Sequence, residues 1–177
     1  MPRIAIVGSF STGKTTLAEA VAEPLDLPLL PEAAREVAAL GFKLDKDATP
    51  ETETLIFLKH FYNEMIHPDF IADRSLVDVM AYAGWVLEHQ ERRKETALFD
   101  ECRKIAEYGL RSQYTHVFYL PIEFPIVLDD LRPDDPEFQR DIDGRIISLL
   151  ETNDVAYETL TGDVPTRVKA LMEHVRD

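Results

Sequence analysis

The chain has 177 residues, enough for one domain with a sizeable core, and a formal charge of −14 from 33 acidic and 19 basic residues. That balance argues against a long nucleic-acid polymer as partner, which needs a basic surface, but leaves room for a small anion in a local basic pocket. A single cysteine, Cys102, excludes an intrachain disulfide and a cysteine metal cluster, and reads as a core residue of a helix.

No leader-like apolar segment follows a basic start, and no run of about 18 apolar residues occurs. A soluble, cytoplasmic protein with no membrane partner is expected. Neither repeats nor low-complexity tracts are visible, so residues 1–177 read as one domain. Strand and helix patterns alternate, which predicts a parallel α/β sheet.

The first strand is the apolar run Arg3-Ile4-Ala5-Ile6-Val7, and a helix follows over residues 16–22. Between them lies Gly8-Ser9-Phe10-Ser11-Thr12-Gly13-Lys14-Thr15, which fits G-x-x-x-x-G-K-[ST] in its required strand-loop-helix setting. Gly8 and Gly13 permit a tight turn that brings backbone N–H groups against phosphate oxygens. The helix adds the positive end of its dipole. Lys14 suits the β- and γ-phosphates, and the Thr15 hydroxyl suits one Mg²⁺ position. Ser11, Thr12 and Thr16 complete the candidate nucleotide contacts. The plain alternative is a glycine turn beside a surface lysine.

A second, proline-flanked strand is expected over residues 25–31, and a helix over 33–40 that Gly41 stops. Glu32, Arg35 and Glu36 then fall near the strand's carboxyl end, the edge where open α/β sheets bind ligands. An ordinary solvated helix start would also account for them. Thr49-Pro50-Glu51 reads as a helix start. Leu55, Ile56, Leu58, Phe61, Tyr62, Met65 and Ile66 predict one packed face over residues 51–66. His60 and His67 lack a partner at metal-ligand spacing and read as structural or surface residues.

A third strand over residues 68–73 ends at Asp73, before Arg74-Ser75 and a helix over 76–89. An acid at such a strand end can hold Mg²⁺ or position a hydroxyl, or simply cap the helix. Arg74 places a cation beside it. Residues 91–95 form a charged break, residues 96–110 a helix, and the β-branched and aromatic run over 114–120 a fourth strand. Prolines 121, 125, 133 and 136 punctuate the next connection, which carries Asp129-Asp130-Leu131-Arg132, with Arg140 just beyond. Such a loop suits a lid over residues 125–140, closing Arg132 and Arg140 on phosphates, or an ordinary surface connection. A helix over 138–151, a fifth strand over 156–160, the turn at Gly162-Asp163 and a helix over 165–175 finish the chain.

These residues carry a likeness that covers nearly the whole chain. It rests on the loop with Ser11 in place of glycine, on Ala34-Arg35-Glu36, and on Phe70-Ile71-Ala72-Asp73. Asp130-Leu131-Arg132, Glu137-Phe138-Gln139 and Leu150-Glu151 add the most specific part. The chain resembles small P-loop kinases of nucleosides and nucleotides. It is similar in particular to the nicotinamide-riboside kinase domain of the bacterial NAD-biosynthesis regulator and to compact AAA-type ATP-binding proteins. The resemblance implies a five-stranded parallel sheet of order 2-3-1-4-5, helices on both faces and a lid. It implies ATP as donor, Mg²⁺ as cofactor, and an adenine contact near Gly162 and Asp163. The acceptor would sit among Glu32, Arg35, Asp73, Arg74 and Arg140, with Lys14, Glu32, Asp73 and Arg132 as catalytic candidates. Asp73-Arg74-Ser75 departs from the riboside kinase pattern and is closer to that of deoxynucleoside and thymidylate kinases, where the arginine suits an acceptor phosphate or 5′-hydroxyl.

Three readings fit the sequence. The first is a small-molecule kinase of a nucleoside or nucleoside monophosphate. The second is a P-loop ATPase or switch without a small acceptor. The third is a kinase of a modified nucleotide in DNA or RNA, which the acidic charge disfavours.

Overall fold

The computed structural model describes residues 1–89, 96–110, 113–127 and 134–176. In chain order it runs β1 (Arg3–Val7), α1 (Lys14–Leu25), β2 (Leu29–Leu30), α2 (Ala33–Ala39), α3 (Pro50–Ile66), β3 (Phe70–Asp73) and α4 (Leu76–His89). There follow α5 (Thr96–Leu110), β4 (His116–Tyr119), α6 (Pro136–Thr152), β5 (Glu158–Thr159) and α7 (Val164–Arg176). The five strands form one sheet of order β2-β3-β1-β4-β5, paired in parallel throughout, as expected.

β1 is central because its side chains are apolar on both faces. Ile4 and Ile6 join Leu17 and Val21 of α1 and Leu171 of α7 in one core. Ala5 and Val7 point the other way, into a larger core built with α3, α4 and α6. Helices therefore cover both faces, and the carboxyl ends of the strands open along one edge. Cys102 is buried in the larger core.

The helix starts follow local chemistry. The Thr49 hydroxyl accepts the Thr52 N–H ahead of α3, and the Asp135 carboxylate accepts the Glu137 and Phe138 N–H groups ahead of α6. Each has proline at the first position, where no N–H is needed.

Two expectations change. Leu25 closes α1 and does not open β2. Pro24 sits in the last turn of α1, and Asp26 in the left-handed region (φ 54°) ends it, with its N–H donated to the Glu23 carbonyl. β2 is short, although the Pro28 carbonyl extends its pairing by accepting the Ile71 N–H.

The second change concerns α3. Of the face expected to pack, Ile56 is buried and Phe61 packs against the larger core, but Leu55, Leu58, Tyr62, Met65 and Ile66 are exposed, whereas Glu53, Phe57, His60 and Glu64 are buried. The inward face is partly polar because it carries a closed hydrogen-bond set. Glu64 accepts from Tyr114 Oη (2.6 Å) and Gln113 Nε2 (2.5 Å), and lies 2.9 Å from His60 Nε2. Tyr114 Oη in turn accepts the Leu76 N–H at the start of α4 (3.1 Å). His60 is structural, as the sequence suggests. Buried polar groups are tolerated when satisfied in this way.

Candidate active site

The loop between β1 and α1 is held by its carbonyls and leaves its N–H groups open. Ser9 Oγ donates to the Gln139 carbonyl, and Gln139 Nε2 donates to the Phe10 carbonyl (2.7 Å), so α6 grips the loop. Arg167 of α7 donates from Nη1 to the Thr12 carbonyl (2.6 Å). At the loop's entry, the Gly8 N–H donates to Asp78 Oδ1 (3.0 Å). Among the described residues, the N–H groups of Ser11 to Thr16 make no hydrogen bond within the protein. A row of unpaired N–H groups at a helix N-terminus is an anion cradle. Gly8 must be glycine, since its φ is 147° and a Cβ there would lie 2.5 Å from the Leu120 carbonyl oxygen.

Lys14 is almost fully buried, and Nζ donates to the Ser9 carbonyl (2.6 Å). Burial, followed by the Arg74 charge, brings its ammonium down to about 8. The charges of Asp78, Asp73 and Glu32 act in the other direction, which puts all of them around one centre. Thr15 Oγ1 donates to Asp73 Oδ2 (2.6 Å). Asp73 Oδ1 is buried without a hydrogen-bond partner among the described residues, and burial raises this carboxyl's pKa. An orphaned carboxylate oxygen beside a threonine hydroxyl at the phosphate cradle fits Mg²⁺, which keeps most of its ligands as water and phosphate. No cluster of three or more metal-ligating side chains exists among the described residues.

Beside this centre opens a cleft continuous with solvent. Phe10, Leu44, Ile56 and Tyr82 supply apolar wall. Glu32, which precedes α2, lies there with Arg35 and Arg74. Its Oε1 sits 2.6 Å from Arg74 Nε and its Oε2 is 3.3 Å from Arg35 Nε. Arg74 has φ 81°, a strained conformation of the kind that persists where surrounding contacts over-determine it. Its guanidinium lies 4.9 Å from the Tyr82 ring centre. Burial opposes the Arg74 charge most strongly, but Glu32, Tyr82 and Asp78 together outweigh it and hold the pKa above the ordinary arginine value. Asp45 and the buried Glu53 also line the cleft.

The remaining sequence candidates divide. Gly162 donates its N–H to the Glu123 carboxylate, and Asp163 caps α7 through the Thr166 N–H. Thr16 is exposed on α1. Ser11, in the left-handed region at φ 58°, accepts the Val127 N–H at Oγ (3.2 Å), which ties the loop to the 125–140 connection. Arg140 is exposed on α6 and is not among the residues lining the cleft. Arg132 and its neighbours Asp129, Asp130 and Leu131 lie outside the described residues.

Residues 3–167 match the AAA domain family. The chain belongs to that family. No curated protein gives a significant match. This AAA domain is similar in fold to the NadR protein in complex with NAD and AMP-PNP (TM-score 0.77, 17% identity). That match covers 99% of this chain and 48% of the NadR chain, so the domain spans about half its length. It is also similar to the deoxyadenosine kinase from M. mycoides with bound dATP (TM-score 0.68, 13% identity, 99% of this chain and 100% of that one). A third is the YorR protein from Bacillus subtilis in complex with phosphorylated GDP (TM-score 0.62, 14% identity, 98% and 95%). At these identities the likeness shows a P-loop kinase-like fold. Among the described residues, no helix of this AAA domain is long and apolar enough to cross a membrane.

Four residues of the site had no assigned role in the sequence. Asp78 had a readable signal, because Ser75-x-x-Asp78 is a capping box: Asp78 Oδ2 accepts the Ser75 N–H, and Ser75 Oγ accepts the Val77 N–H. Gln139 belonged to the quoted likeness but had no role. Glu53 resembled an ordinary acidic first-turn residue. Arg167 sits four residues before the buried Leu171, on the apolar face of α7, where an arginine is anomalous.

Arg167 also donates from Nη2 to Glu123 Oε2 (2.7 Å), so it joins the phosphate loop to the strand ends of β4 and β5. We expect Arg167→Met to weaken nucleotide binding about tenfold, the effect of losing one or two charge-assisted bonds, and to lower Tm. Calorimetry with nucleotide and a thermal melt check this.

Proposed function

We propose that the protein is an ATP-dependent small-molecule kinase that transfers the γ-phosphate to a hydroxyl of a nucleoside-like acceptor. Residues 1–177 act as one kinase domain, with 125–140 as its lid. The observation that carries this reading is the cleft next to the phosphate cradle. It is apolar-walled and carries Glu32, Asp45 and Glu53 against Arg35 and Arg74, with no surplus of positive charge. A balanced cleft of this kind suits an uncharged or cationic acceptor, and a monophosphate would need an uncommitted cation.

In this mechanism the N–H groups of Ser11 to Thr16 and the Lys14 ammonium bind the phosphates. Thr15 and Asp73 would hold Mg²⁺, which supplies charge neutralisation at the phosphates when bound. Glu32 accepts the acceptor's hydroxyl proton as the new O–P bond forms and the bond to the β-phosphate oxygen breaks. Arg74 holds Glu32 in place. Arg132, and Arg140 less directly, would close over the phosphates, and Gly162 and Asp163 would border the adenine. The fold likeness to the NadR protein, also solved in complex with NR, makes nicotinamide riboside the first acceptor to try.

The test gives purified protein ATP, Mg²⁺ and either nicotinamide riboside or a panel of nucleosides and monophosphates. Phosphorylation of a nucleoside is the expected result. Phosphorylation of monophosphates alone would transfer the assignment to a nucleoside monophosphate kinase. ATP hydrolysis that no acceptor changes would overturn the small-molecule kinase reading and favour an ATPase or switch.

A further inference from the structure

Glu53 is 4% exposed and lines the acceptor cleft from α3. Among the described residues its carboxyl makes no hydrogen bond. An enclosed carboxyl without a protein partner leaves its hydrogen-bonding capacity to whatever occupies the cleft. Glu64, about three turns further along the same helix, shows the contrast: it is fully buried and satisfied by three side chains. The open valence of Glu53 faces the cleft that also holds Phe10 and Tyr82, aromatic walls suited to a planar ring.

We propose that Glu53 reads the ring of the acceptor, and that this ring carries an amide or amidine edge, an N–H beside a lone-pair acceptor. The inference rests on the acceptor-cleft reading above and deepens it. A protonated carboxyl offers one O–H donor and one carbonyl acceptor side by side, the complement of such an edge. Its charged and titratable neighbours in the cleft are Asp45, Arg74, Tyr82, Glu32 and Arg35. Burial and then Asp45 push the carboxyl up to about 8, against the opposing pull of Arg74, so it is protonated at neutral pH. Acceptor binding therefore weakens as pH rises above about 8, because the proton must be taken up to form the two-point contact.

The test is calorimetry on the full chain, with nicotinamide riboside, adenosine and cytidine set against purine riboside, which lacks the amino donor. Wild type should bind its best edge-bearing nucleoside at least tenfold more tightly than purine riboside, and lose affinity above pH 8. Glu53→Gln, which carries a donor and an acceptor at every pH, should keep the preference and lose the pH dependence. Glu53→Leu should lose the preference. A preference that survives in Glu53→Leu, or an unchanged pH profile in Glu53→Gln, overturns the proposal. Binding without phosphorylation would overturn only the kinase reading, and the variants would still decide the role of Glu53. If no nucleoside binds wild type, both fall together.

Discussion

Lys14→Ala is expected to lower phosphotransfer by about a thousandfold while the protein stays folded. Phosphoryl transfer depends on positioning and charge stabilisation, and loss of one well-placed donor in a water-poor site costs about 10²–10³ in rate. Lys14 is poised for that role. It is 5% exposed, its Nζ rests on the Ser9 carbonyl (2.6 Å), and it contributes no apolar packing to either core. Its folded pKa, about 8, is below the 10.5 of the unfolded chain. Between those values the unfolded state binds more protons, so stability contributed by this group rises with pH from about 8 to 10.5. Below 8 the fold bears the burden of a buried ammonium. Lys14→Ala should therefore leave Tm unchanged or higher at pH 7, even as turnover disappears. The same group predicts that nucleotide affinity declines as pH rises past about 8. Coupled kinetics and a thermal melt at pH 7 check both halves, and near-normal turnover in the folded variant would remove Lys14 from the mechanism.

Glu32→Gln should be nearly as damaging, for two separable reasons. A positioned general base is worth about 10²–10⁴ in rate, and the amide cannot take the hydroxyl proton. The substitution also strips the Arg74 guanidinium of the carboxylate 2.6 Å away. Arg74 is 12% exposed, and removing one partner of a buried pair costs about 3–5 kcal/mol. Arg35, itself 43% exposed, loses only a surface contact. Glu32→Gln should thus lower both kcat and Tm. Adding Arg74→Met should restore Tm, because no unpaired buried charge remains, and should leave kcat low. Recovery of kcat in the double variant would assign Glu32 to holding Arg74 and not to the chemistry.

The loop from Gly8 to Thr15 was legible in the sequence because its function is local. Two glycines, a lysine and a threonine at fixed spacing, with an apolar strand before them and a helix after, already define the backbone N–H cradle. The start of α3 was legible for the same reason, since Thr49-Pro50 satisfies N–H groups within a single turn; α6 begins two residues before the expected 138, where Asp135 caps it ahead of Pro136. Asp73 and Glu32 could be placed at strand ends because parallel strands with helical crossovers put their carboxyl ends on one edge.

Side-chain partners across the fold were decided elsewhere. α3 shows why. Its apolar residues Leu55, Leu58, Tyr62, Met65 and Ile66 have helical spacing, and periodicity alone directs them inward. They are exposed, and Glu53, His60 and Glu64 are buried. Periodicity reports that a helix has two unlike faces. Which face turns inward depends on what the rest of the chain brings to it, here Tyr114, Gln113 and the cleft.

Arg167 and Asp78 carry the same lesson for the site. Arg167 meets the Thr12 carbonyl from 155 residues away, and Asp78 meets the Gly8 N–H from 70 residues away. By itself the sequence determined the phosphate cradle and the acids at the strand ends, which short-range backbone geometry sets, whereas the strand order came only from the family resemblance. Only the tertiary structure decided that Glu53 is buried on the cleft with no partner for its carboxyl among the described residues, that Arg74 is committed to Glu32, and that three distant side chains fix the loop. Burial and pairing are properties of the assembled neighbours, and no spacing within one segment contains them.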